Sequence, residues 1–92
     1  MALRYSDYKK VSFTASEAFY EIGTVCETKF VSVSTLLLAT QDCWVKFNDD
    51  SFFQFVHKDD YMDFDRKLYK ITYKQDTLGG DLEIWAEGNQ SR

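Results

Sequence analysis

The chain has 92 residues, 45% of them hydrophobic and 17% aromatic, with a formal net charge of −4 and a sequence pI near 4.8. This length predicts a single domain over residues 1–92. The acidic balance argues against a protein that coats nucleic acid, because that function needs a basic face. No stretch approaches the ~20 apolar residues of a membrane span, and charges near the amino terminus interrupt any signal-peptide pattern. We therefore expect a protein that folds in a cytosol, with neither nucleic acid nor a membrane as its partner.

The first half of the chain contains two clear strand patterns. Apolar and polar residues alternate over Val11–Thr14 and again over Lys29–Thr35, which is the period of a half-buried strand. The apolar run Leu36–Ala39 continues the second strand or begins a new one. These patterns and the high aromatic content favour strands over helices.

The segment TASEAFYEIG, residues 14–23, fits two structures. Thr14 and Glu17 match a capping box, which would begin a short helical turn over residues 15–22. Alternation of apolar residues from Ala18 to Ile22 would instead form one face of a strand. The aromatic and β-branched content of the segment favours the strand.

A hairpin is predicted in the middle of the chain. The segment CWVKFN, residues 43–48, places Trp44 and Lys46 on one face and three apolar residues on the other. Residues 48–50, Asn-Asp-Asp, are typical of a tight turn, and the following residues 51–57, SFFQFVH, read as the return strand.

The next segment, KDDYMDFDRK over residues 58–67, is the most charged part of the chain. It is expected to form a surface loop that Tyr61, Met62 and Phe64 hold to the body of the protein. Beyond it, two alternating segments, Tyr69–Lys74 and Leu82–Ala86, are separated by a Gly-Gly turn. They predict a final hairpin.

Eight short strands at this spacing predict an all-β protein, an antiparallel sandwich or a barrel. We count about eight if the segment 14–23 is a strand.

The sequence offers little for catalysis. Its one histidine, His57, would need Cys26 or Cys43 beside it to form a thiol dyad, and no motif brings them together. A solvated histidine at a strand end is favoured, and the two cysteines are expected to be reduced. We therefore expect no catalytic residues.

Several aspartates could in principle gather around calcium, because hard cations prefer carboxylate oxygens. They are Asp49, Asp50, Asp59, Asp60, Asp63 and Asp65. Their spacing lacks the D-x-[DN]-x-[DN]-G pattern, and basic residues interleave with them, which favours a solvated and self-neutralising loop. Neither a metal nor another cofactor is expected.

The two tryptophans are the candidate binding residues. Trp85 lies between Glu83 and Glu87 on the polar side of its strand, and Trp44 lies opposite the apolar set of its own strand. If these strands share a sheet, one face carries both indoles among charges. The candidate residues for binding a partner are Trp44, Lys46, Lys70, Lys74, Glu83 and Trp85.

Such a face suits protein contacts, in which Trp and Tyr are enriched, and it also suits stacking on sugars. A third interpretation needs no function, because loops and lysine stems can cover both indoles.

The residues CWVKFND (43–49) and LYKITYKQDTLGGDLEIWAEG (68–88) resemble the carboxy-terminal half of small structural proteins of tailed-bacteriophage virions. The resemblance covers about half of the chain. It implies a compact, jelly-roll-like β-sandwich in a virus particle, which decorates or stabilises the capsid or belongs to the head or connector. It implies no catalytic residues.

Two functions are therefore carried forward. The first is a non-enzymatic virion structural protein, made in the cytoplasm of the bacterial host, which binds capsid or connector proteins. Such domains commonly use symmetry, so a homo-oligomer is expected and a trimer is reasonable. The alternative is a carbohydrate-binding module that uses exposed aromatic rings on a β-sandwich.

Overall fold

The computed structural model describes residues 4–13, 17–75 and 79–92, and the secondary structure there consists of eight strands without a helix. The strands are β1 (Tyr5–Ser12), β2 (Glu17–Glu21), β3 (Phe30–Ala39), β4 (Cys43–Phe47), β5 (Gln54–Val56), β6 (Tyr61–Phe64), β7 (Lys70–Lys74) and β8 (Asp81–Ser91).

The strands form two four-stranded antiparallel sheets. Sheet A has the order β1-β8-β3-β6, and sheet B has the order β2-β7-β4-β5. In this arrangement β4 and β5 are the only consecutive strands that pair within one sheet, among the strands described. It is the strand order of a jelly roll, two Greek keys in a double sheet. The predicted all-β sandwich is confirmed.

The inward faces of the two sheets meet in one apolar core. Two aromatic pairs cross between the sheets: the rings of Phe13 and Tyr73 lie 5.7 Å apart, and those of Phe47 and Phe64 lie 4.6 Å apart. Inward and outward residues alternate along β4 and β7, as expected for strands with one buried face. The largest fully buried hydrophobic residues are Phe13, Phe30, Phe47, Ile22, Leu37, Leu68, Ile71, Leu82 and Ile84.

The strand interpretation of the segment 14–23 is confirmed for residues 17–21. Glu17–Glu21 forms β2, which pairs with β7 and buries Tyr20. The alternative helical turn is therefore wrong for residues 17–21, while Thr14, Ala15 and Ser16 lie outside the described residues. The first strand, predicted over Val11–Thr14, begins earlier, at Tyr5.

The predicted central hairpin is also confirmed. Cys43 pairs with Val56 and Trp44 with Phe55, although only Gln54–Val56 of the return segment is a strand. The turn begins at Asn48, whose φ is 55°, and the amide of Asp50 donates to the carbonyl oxygen of Phe47. The sequence pattern was sufficient to predict this hairpin because the connection between β4 and β5 is short and local.

The predicted final hairpin is wrong. β7 lies in sheet B between β2 and β4, whereas β8 lies in sheet A between β1 and β3. Alternation shows which residues of a strand face the core, but it does not show which strand is its partner. The connection from β7 to β8 therefore crosses from one sheet to the other. Thr77 and Leu78 of the predicted turn lie outside the described residues.

The segment 58–67 is not wholly a loop. Tyr61–Phe64 forms β6, which pairs with β3 at the edge of sheet A. Met62 and Phe64 pack against the core, as expected of anchoring residues, whereas Tyr61 points outward and is 65% exposed. The sequence pattern did not indicate β6 because the outward residues of this edge strand are solvated and the segment around it is highly charged.

Candidate functional site

The two tryptophans lie on opposite outer surfaces of the sandwich. Trp85 belongs to β8 in sheet A, and Trp44 belongs to β4 in sheet B. Their strands do not share a sheet, so the condition for a single face with two indoles is not met. Of the candidate residues, sheet A carries Trp85 and Glu83, and sheet B carries Trp44, Lys46, Lys70 and Lys74.

An aromatic row crosses the outer surface of sheet A. Cross-strand register places Tyr8 of β1 beside Trp85, and Trp85 beside Leu36 of β3. The ring of Trp85 lies 5.3 Å from that of Tyr8 and 6.3 Å from that of Tyr61. The indole is half-buried between them, whereas Tyr8 is 43% exposed. Trp85 is thus neither a core residue nor an isolated surface residue.

Carboxylates border this row. Glu83 accepts a hydrogen bond of 2.6 Å from the Tyr8 hydroxyl, which raises the pKa of Tyr8. Asp63 of β6 pairs with Leu36 of β3, and Glu87 follows Trp85 by two residues along β8. Asp63 and Glu87, together with Tyr8, Leu36 and Trp85, line a shallow groove of about 450 Å³. We call this surface the acidic face: Tyr8, Leu36, Tyr61, Asp63, Asp81, Glu83, Trp85 and Glu87.

The outer surface of sheet B combines aromatic rings with lysines. Trp44 is 36% exposed and packs edge-on against Phe55, with ring centres 4.9 Å apart. The Nζ atoms of Lys74 and Lys46 lie 4.1 and 5.1 Å from the ring centre of Phe53. We call this surface the lysine face: Phe19, Trp44, Lys46, Phe53, Phe55, Lys70 and Lys74.

The lysines of this face differ in their partners. Lys70 forms an ion pair with Asp49 at 3.1 Å, and the Tyr69 hydroxyl and Lys70 together lower the pKa of Asp49. Within residues 4–13, 17–75 and 79–92, Lys46 and Lys74 form no ion pair, and their ammonium groups lie over an aromatic ring. Phe19, which is 60% exposed, lies 5.7 Å from the Lys70 ammonium.

Neighbouring aromatic rings on the two faces are tilted against each other. On the acidic face, the planes of Tyr8 and Tyr61 are tilted by 42° and 41° from that of Trp85. On the lysine face, Trp44 and Phe55 meet at 68°. Stacking on a sugar chain needs coplanar exposed rings, whereas protein contacts accept tilted ones. The geometry favours protein contacts.

The histidine and the two cysteines, considered above as a possible thiol dyad, have different environments. His57 packs edge-on against Phe55 at 4.6 Å, and both cysteines are free, Cys26 exposed and Cys43 buried. Burial raises the pKa of the Cys43 thiol to about 11. That is the opposite of the lowered pKa on which a reactive thiolate depends.

Alkaline pH should therefore weaken the fold partly through Cys43. Its folded pKa is raised from 9.0 to about 11, so its contribution is complete below pH 9 and is lost between pH 9 and 11. The full loss is about 2–3 kcal/mol. Urea unfolding across this range should show a shallower pH slope for Cys43→Ala than for the wild type, and Cys26→Ala should keep the wild-type slope. Equal slopes for all three proteins would contradict this role.

The aspartates considered for calcium are dispersed. Asp50 pairs with Arg66 at 3.1 Å, and Asp49 pairs with Lys70. No three His, Cys, Asp or Glu residues of the described ranges are grouped as a metal site would require. Likewise, those ranges hold no helix that is long and apolar enough to cross a bilayer.

Comparison with protein-family models, with curated proteins and with solved structures finds no match. The geometry of the two faces therefore carries the functional argument.

Sequence reasoning identified Trp85 and Glu83 but missed the residues that complete the acidic face. Tyr8 and Tyr61 come from the first and sixth strands, far from Trp85 in the chain. The available signal was alternation: in SDYKK and YMDF, an aromatic residue occupies the polar side of its strand. The same test had singled out Trp85.

Proposed function

We propose that this chain is a non-enzymatic structural protein of a tailed-bacteriophage particle, and that it binds capsid or connector subunits through the outer faces of its sandwich. The observation that carries the proposal is the row formed by Tyr8, Trp85 and Tyr61, with carboxylates at its border. Aromatic anchors inside a polar rim are the usual anatomy of a protein interface.

Two further observations support this function. The segments 43–49 and 68–88 resemble virion structural proteins, and the jelly-roll strand order is used in viral capsid domains. Lectins also use jelly rolls, so the fold alone does not separate the two functions. The tilt between neighbouring rings favours protein contacts over stacking on a sugar.

In this role the protein would stabilise the particle by binding, without catalysing a reaction. A small protein that binds the assembled shell more tightly than free subunits stabilises the shell by mass action. Repeated copies on a lattice add avidity, so each contact can be weak.

Particle fractionation tests this function. Particles from the producing host are banded on a density gradient, and the chain is quantified against the major capsid protein by mass spectrometry. We expect a constant ratio of the chain to the capsid protein across the particle band, which persists after nuclease and detergent treatment. A chain that stays entirely in the soluble fractions would refute the proposal.

A surface variant tests the face. Tyr61→Ser removes a 65% exposed ring from the aromatic row and should leave the core intact. Truncating a hot-spot aromatic costs about 2 kcal/mol, so binding to particles should weaken roughly 30-fold. Phe52→Ser, in which an exposed ring of the β4–β5 connection is removed, is the matched control and should bind like the wild type.

The same pair of proteins tests the alternative. If the wild type binds a glycan array and Tyr61→Ser does not, while neither binds particles, the chain is a carbohydrate-binding module instead.

A further inference from the structure

The charges without an ion-pair partner are mainly negative on the outer side of sheet A and mainly positive on that of sheet B, among the residues that the structure describes. On the acidic face, Arg4 pairs with Glu87 at 2.7 Å and Lys10 lies 3.6 Å from Asp81. Asp63 and Glu83 have no cationic partner in the part of the chain that the structure describes. On the outer side of sheet B, Lys46 and Lys74 are the lysines without an ion pair in those residues, and Glu17 of β2, which lies opposite Lys74 in the strand register, is a carboxylate without one.

We propose that the acidic face of one copy of this chain docks on the lysine face of a second copy. This assembly goes beyond the proposed virion role and is tested without particles. Because it uses the same two faces, a contact with a second copy and a contact with the capsid exclude each other at any one face. Two free carboxylates meet two free ammonium groups, and aromatic rings lie at the centre of both surfaces. Complementary potentials of this kind select a partner and its orientation.

The groove on the acidic face suits a lysine side chain. Tyr8 and Trp85 present aromatic rings, and Asp63 and Glu87 place carboxylates at its border. An ammonium group is attracted both to ring faces and to carboxylates, and its four-carbon stem can lie along apolar surface such as Leu36. On the second copy, the ammonium groups of Lys46 and Lys74 both lie beside the ring of Phe53, at the surface that would meet this groove.

The spacing of the two carboxylates on the acidic face is compatible with that of the two ammonium groups on the lysine face. Strand geometry separates the Cα atoms of Asp63 and Glu83 by roughly 12 Å and those of Lys46 and Lys74 by roughly 8 Å. Flexible lysine stems can bridge this difference. The molecule measures 44 × 23 × 21 Å, so one broad side offers roughly 1,000 Å², compared with about 800 Å² per partner in a standard interface.

Such a contact is heterologous, because two different surfaces meet. Copies joined in this way form a ring if the rotation closes and a filament if it does not. Either product is distinct from a two-fold dimer, in which one surface would meet itself.

Charge reversal tests the contact with the purified chain alone. One variant carries Lys46→Glu and Lys74→Glu, and a second carries Asp63→Lys and Glu83→Lys. Sedimentation velocity in low salt should show oligomers for the wild type and a loss of association of at least 10-fold for each variant. At about 1 M salt, where the Debye length is about 3 Å, the wild type should also dissociate.

Mixing the two variants is the decisive step. Each retains one natural face, so the mixture should associate although neither variant does so alone. Lys58→Glu with Lys67→Glu is the matched control, because it makes the same charge change on exposed loop residues and should associate like the wild type. Far-UV circular dichroism confirms that every variant is folded before it is scored.

Three results would overturn the proposal. The first is a wild type that stays monomeric at millimolar concentration in low salt. The second is loss of association in only one of the two variants, which would mean that a single face contacts itself. The third is a mixture of folded variants that stays monomeric.

Discussion

Replacing Gly88 by alanine is expected to lower the free energy of unfolding by about 3 kcal/mol, at the upper end of the usual cost of overpacking. A Cβ at this position would lie 2.1 Å from the carbonyl oxygen of Val31 and 3.0 Å from both Phe30 Cδ2 and Ser32 Cα. Two of these three atoms are backbone, so no side-chain rotation relieves the clash.

The surrounding sheet cannot move away from the added methyl group. Gly88 pairs with Tyr5 of β1 on one side and with Ser32 of β3 on the other. The β3–β8 register shifts between Val31 and Ser32 and again between Ser32 and Ser34, so the backbones approach closely at a bulge. Only a residue without a side chain fits this approach.

Urea unfolding of Gly88→Ala against the wild type measures the loss. Asn89→Ala is the control, since its side chain is exposed one residue further along β8, and it should change stability by less than about 0.5 kcal/mol. A loss below about 1 kcal/mol for Gly88→Ala would mean that the bulge relaxes freely and that its backbones are not held together.

Tyr20→Phe is expected to lower the free energy of unfolding by about 2 kcal/mol. Asp7 of β1 is buried, and its Oδ2 atom accepts hydrogen bonds from the Tyr20 hydroxyl and, at 2.7 Å, from the amide of Gly23. The Tyr20 hydroxyl joins the two sheets at this end of the sandwich, since β1 and β2 belong to different sheets. Its removal leaves a buried carboxylate with one donor fewer, and hydrogen bonds to charged groups contribute about 1.5–3 kcal/mol.

Tyr73→Phe is the matched control for this loss. Tyr73 is buried to the same degree, 8% exposed against 6% for Tyr20, and its hydroxyl makes no hydrogen bond among the described residues. Chemical denaturation of both variants at pH 7 separates loss of the hydrogen bond from loss of a hydroxyl group. If Tyr20→Phe and Tyr73→Phe are equally stable, the contact with Asp7 contributes nothing to the fold.

The effect of Tyr20→Phe should also depend on pH. Burial and the hydrogen bond to Asp7 raise the pKa of Tyr20, so its contribution is complete below pH 10 and is lost as the pH rises further. The stability difference between the wild type and Tyr20→Phe should therefore shrink above pH 10. A constant difference up to strongly alkaline pH would contradict the raised pKa.

The sequence alone determined the class of the fold and the orientation of most strand residues. Alternation at period two is local, so it identified β2, β4 and β7 as strands and placed Trp44 and Trp85 on outward faces. The β4–β5 hairpin was equally accessible, because its connection is short and its turn begins with Asn-Asp-Asp.

Only the tertiary structure decided which strands are neighbours. The hydrogen bond from Tyr8 to Glu83 joins residues 75 positions apart, and that between Tyr20 and Asp7 joins two sheets. Nothing in a local period encodes such a pairing, because every strand with one apolar face offers the same edge hydrogen bonds to any partner. Simultaneous burial of all the apolar faces selects the partners. That selection separated Trp44 from Trp85, placed Tyr8 and Tyr61 beside Trp85, and set an acidic face opposite a lysine face.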